Sequence, residues 1–143
     1  MENLAVHYIL EYYGCNPEKI KTTAQFSDIL NTIVNTMELT KVAESYKQFE
    51  PYGASGIILI SESHISGHSW PEKGYLALDI FTCNLKCKPD KAVRQVKKLI
   101  GSTFASMNKL DRGLYLIDEK TEEVKQEKVK INEISDSGVT RTE

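Results

Sequence analysis

Between Ser61 and Cys83 the chain concentrates side chains able to do nucleophilic or acid–base chemistry. Two of its three histidines, His64 and His68, stand there with its only tryptophan, Trp70, and the carboxylate Glu72. The stretch closes on Cys83, with Cys87 just beyond. In Glu62-Ser63, a serine hydroxyl can attack the carbonyl of the residue before it and turn the amide into an ester. That step needs a backbone held in an unfavourable geometry and a nearby base. His68, with an ordinary pKa of ~6.5, can take protons at neutral pH. Removing the α-proton of the esterified serine would expel the Glu62 carboxylate. The dehydroalanine left behind hydrolyses to a pyruvoyl ketone, an electron sink made from the chain itself.

Other readings use the same residues. Ser63, His64 and His68 can simply satisfy one another's hydrogen bonds in a polar turn. A catalytic triad would lack the Gly-x-Ser-x-Gly elbow. His64-x3-His68 and Cys83-x3-Cys87 form a zinc-like set of two imidazoles and two thiols. Gly67 and Trp70-Pro71 argue against the helix that would align the imidazoles, and structural zinc pairs are usually Cys-x2-Cys. No metal is expected. Phe49 and Trp70 can sandwich a planar ring or serve as core and rim, and Glu72 can accept hydrogen bonds from a ribose diol. Cys83 is either an inert buried thiol or a proton donor facing the turn. Cys15 and Cys87 read as bystanders.

The flanking elements read as scaffold. Val6 to Tyr13 alternates as a strand and stops at Gly14. Phe26, Ile29, Leu30, Ile33, Val34 and Met37 recur at helical spacing, with Ser27 as a candidate cap. Thr40 to Phe49 alternates as a second strand. Ala54–Ile60 and Gly74–Thr82 read as an antiparallel pair flanking a polar turn. Lys88-Pro89-Asp90 starts a second helix with apolar Ala92, Val93, Val96, Leu99 and Ile100, closed by Gly101. A further strand covers Thr103 to Leu110. The expected architecture is α/β (α+β): a two-layer sandwich, an antiparallel sheet with two helices on one face, in the order β-α-β-β-β-α-β. The uncovered sheet face suggests a second copy of the chain. Residues 1–117 form the domain, and 118–143 read as a charged tail, poorly ordered or loosely attached.

At 143 residues the chain suits one domain with a real core. Its net charge of −2 gives no sign of a nucleic-acid partner. No apolar run approaches the ~20 residues of a membrane span. The start Met-Glu-Asn-Leu lacks a signal-peptide pattern, and three cysteines without framework spacing suggest reduced thiols in a cytoplasmic setting.

Over residues 4 to 115 the sequence resembles the S-adenosylmethionine decarboxylase proenzyme family, of the prokaryotic small pyruvoyl-dependent type. The resemblance rests on Tyr12-Tyr13-Gly14-Cys15-Asn16, Gly53-Ala54-Ser55-Gly56, Glu62-Ser63-His64-Ile65-Ser66, His68, Trp70-Pro71-Glu72, Gly74-Tyr75 and Asp79-Ile80-Phe81-Thr82-Cys83. It implies self-cleavage between Glu62 and Ser63, with Ser63 becoming the pyruvoyl group that forms a Schiff base with substrate. It implies His68 as processing base, Ser55 as an assisting hydroxyl and Cys83 as the catalytic proton donor. Phe49 and Trp70 match the adenine-stacking aromatics, and Glu72 the ribose-binding carboxylate. The implied activity is decarboxylation of S-adenosylmethionine for spermidine biosynthesis, in a homodimer with active sites at its interface. Arginine or ornithine decarboxylation by a relative, and an unprocessed non-catalytic homologue, are the alternatives. Gly67, where the family usually carries a β-branched or aliphatic residue, would loosen the turn at Ser63. Ser69 stands where threonine is common.

Overall fold

The computed structural model describes residues 3–113 and, as backbone, 128–135 and 138–142. Eight strands form one antiparallel sheet: β1 (Ala5–Tyr13), β2 (Lys41–Gln48), β3 (Ala54–Ile60), β4 (Ser63–Trp70), β5 (Tyr75–Thr82), β6 (Phe104–Arg112), β7 (Lys128–Ser135) and β8 (Gly138–Thr142). Their spatial order is β2-β3-β4-β5-β1-β6-β7-β8. Two helices, α1 (Thr23–Thr36) and α2 (Asp90–Leu99), supply the second layer. This is the two-layer α+β sandwich expected from the sequence.

Strand alternation sets the two faces of the sheet. Val6, Tyr8, Leu10 and Tyr12 of β1 are buried, as are Leu76, Leu78 and Ile80 of β5. They join Phe26, Ile29, Leu30, Ile33 and Val34 of α1 and Ala92, Val93 and Val96 of α2 in one core. The buried Tyr12 hydroxyl donates to the Val93 carbonyl at 3.0 Å, so its polar atom is satisfied within the core. α1 begins before the expected cap Ser27. Thr22 caps it instead, in a reciprocal capping box with Gln25.

One expectation is corrected. The polar stretch from 61 to 72 is mostly not a turn: Ser63–Trp70 is β4, inserted between β3 and β5, which therefore do not pair with each other. Its polar residues obscured a strand whose helix-facing positions are Ile65, Gly67 and Ser69. Ser69 is buried, donates to the Ile20 carbonyl at 2.8 Å and accepts from the Ala54 N–H at 3.0 Å. Within the charged stretch 118–143, residues 128–135 and 138–142 are strands that extend the sheet from β6. Residues 118–127, 136–137 and 143 lie outside the described residues.

Gly67 plays a different part from a loosened turn. It faces Gly56 across β3–β4, and the Phe26 ring lies over both. A Cβ at Gly67 would stand 2.4 Å from the Ala77 carbonyl oxygen and 3.1 Å from the Phe26 ring. The absent side chain admits the aromatic ring of α1.

Candidate active site

A two-residue hairpin, Ser61-Glu62, joins β3 to β4, with Ile60 paired to Ser63 at its base. Ser63 has φ 148°, a region that L-residues other than glycine rarely occupy. The adjoining Glu62 carbonyl oxygen accepts the Cys83 main-chain N–H at 2.8 Å. The peptide bond expected to break thus follows a polarised carbonyl and precedes a distorted serine. Cys83 is exposed just past the end of β5, and its main chain adjoins this bond. His64, following Ser63, stacks on Phe81 at 5.2 Å. Beyond Phe81, His7 pairs with Asp79 at 2.8 Å.

A second cluster occupies the other end of β4. His68 pairs with Ser55 across β3–β4, and its Nδ1 shares a hydrogen bond with the Ser55 hydroxyl. The Phe49 ring lies 5.1 Å from the imidazole and the Trp70 ring 4.1 Å. Phe49 is 39% and Trp70 37% exposed, which leaves ring surface free for a planar ligand. Glu72 follows in the short 3₁₀ turn Pro71–Lys73. Burial lowers the His68 pKa below its ordinary value, partly opposed by the Glu72 carboxylate, so the imidazole is neutral at pH 7 and free to act as a base.

The structure therefore brings Ser55, His68, Phe49 and Trp70 together, with Glu72 near, and brings Glu62 and Ser63 beside Cys83. It does not unite the two groups within one chain. Ser63 and His68 are five residues apart on one strand, about 16 Å at the usual rise. The zinc-like set is not assembled either. His64 and His68 are separated along β4 by about 13 Å, and Cys87 packs against the core beside Tyr8. Among the described residues, no group of three His, Cys, Asp or Glu side chains is placed to hold a metal.

Sequence reasoning missed how the aromatic cluster continues. Tyr75 stacks on Trp70 at 5.3 Å and on Tyr13 at 5.3 Å, and its hydroxyl is hydrogen-bonded to Glu11. The odd positions of β1, Glu11 and Tyr13, carried that signal, but nothing local said which strands would flank them. On the same open face Ile57 and Leu59 are 44% and 50% exposed.

These features define a class: two-layer α/β sandwiches with a backbone-strained serine opening a strand at a hairpin. The chain belongs to the S-adenosylmethionine decarboxylase family, whose model matches residues 6–113. It is 37% identical over 114 residues to the S-adenosylmethionine decarboxylase proenzyme of Pyrococcus furiosus, covering 80% of this chain and 82% of that protein. With the proenzyme of Thermoplasma volcanium it shares 36% identity over 124 residues, covering 87% and 95% respectively. The crystal structure of the adenosylmethionine decarboxylase from Aquifex aeolicus superposes with a TM-score of 0.73 at 29% identity, covering 86% of this chain and all of that one.

Proposed function

We propose that this chain cuts its own Glu62–Ser63 bond and then decarboxylates S-adenosylmethionine, giving the aminopropyl donor used to make spermidine. The observation that carries the reading is Ser63 itself, at φ 148° behind a carbonyl held by the Cys83 N–H. Attack by the Ser63 hydroxyl relieves backbone distortion, and the Cys83 N–H is aimed at the oxygen on which negative charge develops.

The 16 Å between Ser63 and His68 gives the open sheet face its role. In a homodimer packed through that face, a two-fold axis passing between the two clusters lays the partner's His68 against this chain's Ser63. The exposed Ile57, Leu59 and Trp70 supply apolar surface for such an interface. The neutral His68 then takes the Ser63 α-proton, with the Ser55 hydroxyl orienting the imidazole.

The residues fit a pyruvoyl group arising at Ser63: the precursor bond is strained and its carbonyl polarised. Such a ketone supplies an electron sink for carboxylate loss without a metal. Phe49 and Trp70 hold the adenine between their exposed faces, Glu72 accepts hydrogen bonds from the ribose hydroxyls, and the Cys83 Sγ–H delivers a proton to the substrate α-carbon. The aromatic faces also suit a sulfonium cation. Among the described residues no helix is long and apolar enough to cross a membrane. The free thiols Cys15, Cys83 and Cys87 support a reducing, cytoplasmic setting.

Intact mass of the purified protein tests the reading. Two fragments, 1–62 and 63–143, with the larger blocked at its N-terminus, are the expected outcome. Carbon dioxide release from S-adenosylmethionine, and not from arginine or ornithine, completes it. A chain that stays whole on prolonged incubation overturns it.

A further inference from the structure

The hairpin bearing the strained serine is held by a residue outside it. Thr40, immediately before edge strand β2, donates its main-chain N–H to Glu62 Oε1 at 3.1 Å. Its hydroxyl donates to Oε2 at 3.4 Å, and its carbonyl accepts the Ser61 N–H at 2.9 Å. From the opposite side the Cys83 N–H holds the Glu62 carbonyl. Ser61 and Glu62 are therefore tethered on both flanks.

Two-residue hairpins ordinarily place their positive φ angles inside the loop, on glycine or asparagine. Here neither Ser61 nor Glu62 has a positive φ, and the distortion falls on the next residue, Ser63. A free loop would relax by rotating the Ser61–Glu62 peptide. The three Thr40 contacts oppose that rotation, and those to the Glu62 carboxylate are charge-assisted.

We propose that Thr40 and the Glu62 carboxylate form a clamp that confines backbone strain to Ser63 and so drives the acyl shift. Glu62 is then a positioning residue as well as the cleavage point. This rests on the self-cleavage reading above. In the shift, the Ser63 Oγ bonds to the Glu62 carbonyl carbon, the C–N bond breaks, and the hydroxyl proton passes to the released amine. The clamp acts before His68 does, because α-proton removal, the step assigned to His68, follows ester formation.

That order makes the proposal separable from a general structural effect. Newly synthesised protein is followed by intact mass, with and without hydroxylamine, which cleaves esters but spares amides. Glu62→Ala is expected to slow cleavage about ten- to a hundredfold, the scale of lost charge-assisted hydrogen bonds. Its uncut chain should resist hydroxylamine, because no ester has formed. His68→Ala should also stay uncut, but hydroxylamine should release its fragments, because ester accumulates without the base. Glu62→Gln, which keeps an oxygen for the Thr40 N–H, should recover much of the rate, and Thr40→Val, which removes only the longer contact, should slow it a few-fold. A thermal melt of each variant checks that it is folded. A wild-type rate in Glu62→Ala, no recovery in Glu62→Gln, or a hydroxylamine-labile Glu62→Ala chain each overturns the clamp. If wild type and His68→Ala both stay whole and resist hydroxylamine, the self-cleavage reading itself fails.

Discussion

Ser63 and His68 share one strand, with register partners Thr82 and Ala77 five residues apart on β5, so about 16 Å of extended chain separates them. If each site takes its serine from one subunit and its imidazole from the other, complementation follows. Ser63→Ala and His68→Ala homodimers should both stay uncut. When the two are mixed by co-expression, the His68→Ala chain should be cleaved in heterodimers, because its intact Ser63 meets the partner's His68. The Ser63→Ala chain should remain whole. Mass spectrometry of differently tagged chains reads the result, and absence of cleavage in the mixture would rule out a shared site.

Burial holds the His68 pKa below its ordinary value and Glu72 pulls it back up. The base works in its neutral form, so its contribution is complete above the depressed pKa and is lost as pH falls through it. The acid limb of the self-cleavage rate should therefore lie below the ordinary ~6.5. Glu72→Gln removes the opposing charge and should move that limb further toward acid. A limb at or above 6.5, or a shift in the other direction, would contradict this electrostatic account.

Trp70 has a plinth. Tyr75 stacks on it with planes 27° apart and is itself fixed by Glu11 and Tyr13. Burial and the Glu11 carboxylate raise the Tyr75 pKa, so its hydroxyl stays protonated and donates. Tyr75→Ala should raise KM for S-adenosylmethionine about three- to tenfold through loss of ring stacking, with kcat and self-cleavage little changed. Tyr75→Phe keeps the stack and should cost less. Steady-state kinetics alongside intact mass would separate these effects.

Gly67 should tolerate little. A Cβ there meets the Ala77 carbonyl oxygen and the Leu78 side chain, both at 2.4 Å. Gly67→Ala is expected to destabilise the fold by about 1–3 kcal/mol, the usual cost of overpacking. Urea unfolding in a Ser63→Ala background would measure it without interference from cleavage. A neutral result would mean that Phe26 and β5 yield more readily than their burial suggests.

Local pattern carried much of this protein. The 3.6-residue stripes of Phe26 to Met37 and Ala92 to Ile100, and the alternation of β1 and β5, are legible because each element sorts its own side chains between core and water. Around Glu62-Ser63 the residue types allow an acyl shift and an elimination, which need a hydroxyl, a preceding carbonyl and a base, but they suit a hydrogen-bonded polar turn equally, and only the family resemblance chose between the two. β4 escaped because its core-facing side includes Gly67 and Ser69, whose fitness for burial comes from Phe26, Ile20 and Ala54, distant in sequence. The distance between serine and imidazole, the Thr40 contacts to Glu62 and the Tyr75 support under Trp70 were decided only in three dimensions. Each depends on which strands become neighbours and in what register, a choice made by long-range pairing energies that no single window of sequence contains.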